Sequence, residues 1–296
     1  IRKSEQVPKE SYAIVLGLDR TSTPIAEERP AGQPPNSRRK KRKKPYIRKP
    51  PAPFDVNYRM AYTGTVALTD TDGDTLVTRR YAATAEEGPD ELVGRMMADV
   101  SHCLTQRPTL QVAVVQDGAP ELWNLLRPAL REIGVKKWRS IIDFYHVSER
   151  VGALLELLLP DQAERANQFA RWKKRLLASD FAMPHFLRYV APLRSKKGAT
   201  LKKYYEHEGY LSGYYAAGMF KYASARNDNI PIGSGITEGS CKSLFAARVK
   251  RSGQRWYQDG LTAVLTLRAL EQSDRLPRFW RHFRARFHAN VQASAA

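Results

Sequence analysis

The sequence predicts an α/β fold with at least three strands lying side by side. Three observations carry this. Brief apolar runs bounded by polar residues occur at Tyr12–Leu18, Leu110–Gln116 and Arg139–Asp143, too short for core helices and suited to buried strands. Helical periodicity separates them, with Leu92, Met96, Val100 and Leu104 on one face of a helix over 89–104. The order strand, hairpin, helix, strand, helix, strand is that of an α/β sheet.

In chain order, Tyr12–Leu18 (YAIVLGL) is the first strand, and Asp19 is expected to project from its end. Periodicity is lost from Glu27 to Pro53, which collects Pro, Gly and Ser. Within it, nine of the thirteen residues in SRRKKRKKPYIRK (37–49) are Lys or Arg. Such a run cannot bury a core. It reads as a loop or arm that contacts phosphate through Arg38, Arg39, Lys40 and Lys41, or as a solvated charge run. Tyr58–Thr69 and Leu76–Thr84 flank DTDGD (70–74) and form a hairpin. The three aspartates of that turn lack the downstream acid of a calcium loop.

The second apolar run ends in Asp117, followed by Gly-Ala-Pro and a helix over 121–133. The third ends in Asp143 and passes through Phe144-Tyr145-His146 into a helix near Val147. From Ser148 to Asn229 the patterns are helical, which predicts an all-helical insertion rich in tyrosine. The segment 230–256 (IPIGSGITEGSCKSLFAARVKRSGQRW) then predicts a basic amphipathic helix starting near Ile236, capped by Ser234 or Thr237. Its buried side would be Leu244, Phe245, Ala247 and Val249. Glu238 stands alone in its first turn with Lys242 one turn on, and Arg248, Lys250, Arg251 and Arg255 form a cationic ridge. Trp256 is available for stacking or, preferably, packing. A helix over 259–271 follows, then a basic aromatic tail (278–288) expected to pack as a terminal helix. These readings divide the chain into a core (1–147), the insertion (148–229), a second core part (230–272) and the tail (273–296).

The 296 residues carry a formal net charge of +19 with 42% hydrophobic side chains. A folded core is therefore possible, and the charge predicts a polyanionic partner, nucleic acid before any membrane surface. No apolar run approaches the roughly 20 residues of a membrane span. Cys103 and Cys241 have no partner motif and are expected to be reduced thiols of a cytoplasmic protein. The chain begins Ile1-Arg2 without Met, so an upstream region is expected.

Asp19, Asp117 and Glu238 thus stand at strand ends or a helix start, and ends of central strands share one rim of an open sheet. Taken singly, each aspartate is ordinarily a turn or cap residue. Together, hard oxygen ligands without a Cys or His cluster suit Mg²⁺ or Mn²⁺, and two ions about 4 Å apart can activate water or a 3′-hydroxyl and stabilise a leaving oxygen.

QDGAPELW (116–123), IDFYHVSE (142–149) and GSGITEGSCKSLFAARVKRSGQRW (233–256) resemble the bacterial insertion-sequence transposases of the DDE class, nearest the Kra-type group, over about Tyr12–Leu270. The resemblance implies a ribonuclease H-like mixed sheet flanked by helices and interrupted by the insertion. It implies two divalent ions on Asp19, Asp117 and Glu238, nicking of element ends, and 3′-hydroxyl attack on target DNA. It also implies a homodimer or higher assembly on double-stranded DNA in the bacterial nucleoid, with RNA left open as a partner. Asp143 and His146 match the Asp-x-x-His signature of related transposases. His146 can hold a phosphate, orient a carboxylate or shuttle a proton, or the pair can simply fasten the insertion to the sheet. A nuclease that cuts without joining and a catalytically silent nucleic-acid binder on the same fold stay open as alternatives.

Overall fold

The computed structural model describes residues 5–34, 52–194, 197–251 and 253–294. Five strands form one mixed sheet in the order β3-β2-β1-β4-β5, with β1 Ala13–Glu28, β2 Phe54–Thr69, β3 Thr75–Ala83, β4 Gln111–Gln116 and β5 Arg139–Ile142. β1 and β2 pair antiparallel, as do β2 and β3, while β4 is parallel to both β1 and β5. The architecture is α/β, a mixed sheet flanked by helices.

β1 is central, and its apolar stretch from Ala13 to Leu18 is buried, as expected of a strand covered on both faces. The strand does not stop at Leu18. It runs on to Glu28 because residues 20–28 stay in register with 54–62 of β2, a ladder that its own polar, Thr-rich sequence does not signal. Pairing with β4 ends at Leu16–Val114, so the outer side of β1 is open beyond that point. Pro24, which has no N–H to donate, is tolerated there. At the far end Ala26 N donates to Trp256 O at 2.8 Å. The expected aperiodic stretch therefore starts after Glu28, and Arg38, Arg39, Lys40 and Lys41 lie outside the described residues.

The β2–β3 hairpin turns through Asp70–Asp74. Asp70 accepts from Asp72 N and Asp74 N at 3.0 and 2.9 Å, and Gly73 supplies the left-handed φ of 86°. The two sheet faces are covered differently. Next to one another on β2, Gly64 meets Met96 and Leu92 of α1 (Gly88–Gln106), whereas Thr65 meets Thr237 of α8 (Gly235–Cys241). Alternation along the strand sends these neighbours to opposite faces. On the α8 side a second core joins Ala61, Ala82, Cys241, Phe245 and Val249 with Leu261 and Leu265 of α9 (Gln258–Glu271).

α2 (Pro120–Glu132) and α3 (Phe144–Leu158) follow β4 and β5 directly, and α4 (Gln162–Ala178), α5 (Ala182–Val190), α6 (Ala199–Ala216) and α7 (Tyr222–Asn227) complete the helical stretch. Its buried side chains, among them Val151, Trp172, Phe186 and Tyr222, belong to the same hydrophobic cluster as the strands. Both cysteines are free and buried.

Two further sequence expectations differ from the structure. The basic amphipathic helix is only seven residues long. It widens into a π-type turn over Lys242–Ala246, with Ala247 N donating to Lys242 O at 3.0 Å, and then unwinds. Leu244, Phe245 and Val249 are buried, but Ala247 is exposed, because the widened turn rotates it out. The tail, α10 (Leu276–Ser294), does not pack along its apolar stripe: Trp280, Phe283 and Phe287 are exposed. No helix among the described residues is long and apolar enough to cross a membrane.

Candidate functional site

The site forms where β1 and β4 part. In the opening, Gln116 Oε1 accepts from Leu18 N at 3.1 Å, so a buried side chain replaces the next rung of the ladder. Asp19 and Asp117 follow at once. Asp19 lies within β1 opposite Thr63 rather than at its end, since β1 continues along β2. Asp117 leaves the sheet, and its Oδ1 accepts from Ala119 N at 3.0 Å, shaping the turn into α2.

Glu238 arrives from the other direction on α8, which sits unusually close to the sheet. Thr65 Oγ1 and Thr237 Oγ1 are 2.7 Å apart, and Gly17 leaves room for Thr237. Neither Ser234 nor Thr237 caps α8 through its side chain. Thr237 is turned to the sheet, and Ser234 Oγ lies between two carboxylates, 2.8 Å from Asp143 Oδ2 and 2.7 Å from Glu238 Oε1. Its single proton serves one of them at a time.

Asp19, Asp117, Glu238, His146, Ser234 and Lys242 line one cleft of about 240 Å³. Burial raises the Asp19 carboxyl above its ordinary range, and the charges of Asp117 and Glu238 push it further. The Cys241 thiol and the Arg20 N–H at 2.7 Å act against the rise. Cys241 itself is pushed up to about 12 by burial and by Asp19. It is a protonated donor at neutral pH, not a thiolate ligand.

Asp143 is fully engaged. Oδ1 accepts from Tyr145 N at 2.7 Å and His146 N at 2.9 Å, capping α3, while Oδ2 accepts from both Ser234 N and Ser234 Oγ. Burial alone would raise its pKa, but the hydrogen bonds from His146 and Ser234 hold it far below the carboxylate range. His146 is pushed up to about 9, chiefly by Asp143, against the opposing effect of burial, with Glu238 adding to the rise. Its Nδ1 is 3.3 Å from Asp143 Oδ1 and 3.8 Å from Glu238 Oε1.

Among the described residues, Asp143, His146 and Glu238 are the group whose ligand atoms all lie within 4.8 Å of one another. Asp19, Asp117 and Glu238 do not meet that single-ion spacing. In that tighter group the Asp143 carboxylate is already engaged. Its oxygens accept four hydrogen bonds, and the His146 imidazole lies between Asp143 and Glu238. Asp143 ties the start of α3 to the Ser234 turn and through it to Glu238. Asp19, Asp117 and Glu238 line the same cleft, each with one oxygen accepting a hydrogen bond.

Lys242 lines the cleft, and Arg248, Lys250, Arg251 and Arg255 are exposed on the segment that follows. Lys250 Nζ donates to Thr21 Oγ1, and the Arg255 guanidinium lies 5.5 Å from the Phe54 ring centre. Trp256 packs against the second core. Sequence reasoning missed Gly17, Thr65 and Cys241, and the role of Ser234 as a bridge. A glycine inside an apolar strand is a signal of close approach, so Gly17 could have been found. Nothing in the sequence marks the other three.

No family model, curated protein or solved structure matches the chain.

Proposed function

We propose that this chain is the catalytic core of a DDE-class DNA transposase on a ribonuclease H-like fold, cutting DNA at insertion-sequence ends and joining it to a target. One observation carries the reading. Asp19, Asp117 and Glu238, far apart in sequence, line a single cleft together with His146 and Lys242. The sheet order, with β1 central and β4 and β5 parallel beside it, supports it, because the acids then stand where the two central strands diverge.

The donor set fits a hard divalent cation. Three carboxylates face one space, the nearby thiol is protonated, and burial raises the Asp19 pKa with the charges of Asp117 and Glu238 adding to it. Asp19, Asp117 and Glu238 would hold Mg²⁺ or Mn²⁺, with two ions expected from the family resemblance. Such ions lower the pKa of an attacking water or 3′-hydroxyl and offset charge on the leaving oxygen. The protein's own groups do the rest. Ser234 and His146 hold Glu238 toward the cleft, and Asp143 keeps His146 protonated. His146 and Lys242 place positive charge where a phosphodiester enters. Double-stranded DNA is the partner this charge arrangement suits best, in a homodimer or larger assembly that pairs two ends.

The test uses labelled duplexes taken from the DNA bordering this coding sequence, with Mg²⁺ or Mn²⁺. Wild type should nick the ends and join them to plasmid, and Asp117→Asn should do neither. Equal activity in the two proteins would remove Asp117 from the mechanism, and cutting without joining would favour a nuclease.

A further inference from the structure

α3 carries His146 in the cleft and, one turn later on the same face, Arg150. Arg150 is exposed, and no carboxylate pairs with it among the described residues. Its surroundings nevertheless fix it. The guanidinium lies 4.9 Å from the centre of the Tyr210 ring, and its NH1 is 3.4 Å from His207 Nδ1, both residues on α6. Burial and Arg150 itself lower the pKa of His207. The arginine is thus held by a ring face and an imidazole, without an ion pair among the described residues. A guanidinium over a ring face keeps those of its N–H donors that do not point to His207 available to a phosphate.

The ring that holds Arg150 is itself seated on the turn after Asp117. A Cβ on Gly118 would lie 2.2 Å from Tyr210 Oη, so the hydroxyl occupies the space a side chain would take. Tyr214 OH donates to Gly118 O at 2.7 Å, and the Tyr210 and Tyr214 rings meet edge to face at 4.9 Å. The Asp117–Gly118 turn, Tyr210 and Arg150 form one continuous packed series from the cleft to the helical stretch.

We infer that Arg150 contacts a backbone phosphate of the nucleic acid entering the cleft, with Tyr210 aiming its guanidinium from the Asp117–Gly118 turn. Arg150 is a phosphate-binding residue and Tyr210 positions it, a role that rests on the reading of the cleft as a DNA site. An arginine serving only to pack α3 against α6 would leave DNA binding and its salt dependence unchanged.

The experiment measures the affinity of the full chain for a short labelled duplex as a function of salt, in an Asp117→Asn background so that nothing is cut. Losing one phosphate contact should lower the slope of log K against log salt by about 0.9. Arg150→Met should show that loss and bind about 3- to 10-fold more weakly at about 0.1 M salt. Arg188→Met removes an exposed arginine from α5 and should keep the parent slope. Tyr210→Phe should also keep it, since the ring face remains, and thermal melts confirm that each variant is folded. A parent-like slope and affinity in Arg150→Met, or an equal loss in Arg188→Met, would overturn the inference. Absence of cleavage by the chain with Asp117 intact would count against the transposase reading while leaving this comparison standing.

Discussion

Gly17 and Thr237 touch so closely that a Cβ on Gly17 would lie 2.2 Å from Thr237 Oγ1 and 2.9 Å from Val115 O. This contact lets α8 settle on the sheet and sets Glu238 beside Asp19. Gly17→Ala should therefore act on both fold and site. Overpacking of this kind costs about 1–3 kcal/mol, read as a lower denaturant midpoint, together with loss of metal-dependent cleavage. Adding Thr237→Ala should recover part of the stability, while the clash with backbone Val115 O remains. An unchanged midpoint in Gly17→Ala would show that α8 does not depend on this approach.

Asp143 accepts on both sides of its carboxylate, so an amide cannot replace it. In Asp143→Asn the NH₂ must face either the amides of Tyr145 and His146 or the amide of Ser234. The cost should be about 2–4 kcal/mol, from a buried donor left unpaired and the loss of a charge-assisted bond. Ser234→Ala keeps Ser234 N and removes only the hydroxyl, so it should be milder, about 1–2 kcal/mol. It should still raise the Mg²⁺ concentration needed for half-maximal cleavage, because Glu238 loses its tether.

The pKa of His146, raised to about 9, gives a signed prediction for the metal-free protein. A group whose folded pKa lies above its unfolded value stabilises the fold fully below the unfolded pKa of about 6.5 and loses that contribution as pH rises through the folded value. Stability should therefore decline between about pH 6.5 and 9. His146→Gln should flatten that part of the curve when denaturant midpoints are compared across the range.

At acid pH a different cluster governs stability. Arg275 holds Glu5 through two bonds of 2.7 and 2.6 Å and Asp99 through one of 2.7 Å, while Arg79 NH2 lies 3.1 Å from Glu5 and Tyr81 OH donates to Asp99. Burial opposes ionisation of both acids, but Arg275 lowers each below its ordinary pKa. Depressed carboxylates contribute stability above their unfolded pKa values, and this is lost as pH falls through the folded ones. The midpoint should drop steadily below about pH 4.5. Asp99→Asn should be strongly destabilised at pH 7, by about 3–5 kcal/mol for a broken buried pair, with a shallower acid dependence.

The legible parts of this fold were those in which a residue's own neighbours decide its structure. The apolar runs at Tyr12–Leu18, Leu110–Gln116 and Arg139–Ile142 bury themselves whatever they pair with, and DTDGD turns by its own side-chain bonds. The extension of β1 to Glu28 was illegible because β2 imposes it. α10 was misjudged because a stripe of Phe and Trp says that a helix can pack, not that a partner surface lies within reach. At the site, the acids were visible as residues that end apolar runs or open a helix. Their arrangement was not, since it depends on Gly17 and Ser234, whose roles arise only once α8 lies on the sheet.

Anomalous scattering from crystals soaked in Mn²⁺ tests the central claim most directly. The account predicts manganese peaks in the cleft bounded by the oxygens of Asp19, Asp117 and Glu238, and their loss in Asp19→Asn. A peak held by Asp143, His146 and Glu238, or an empty cleft at saturating Mn²⁺, would contradict it.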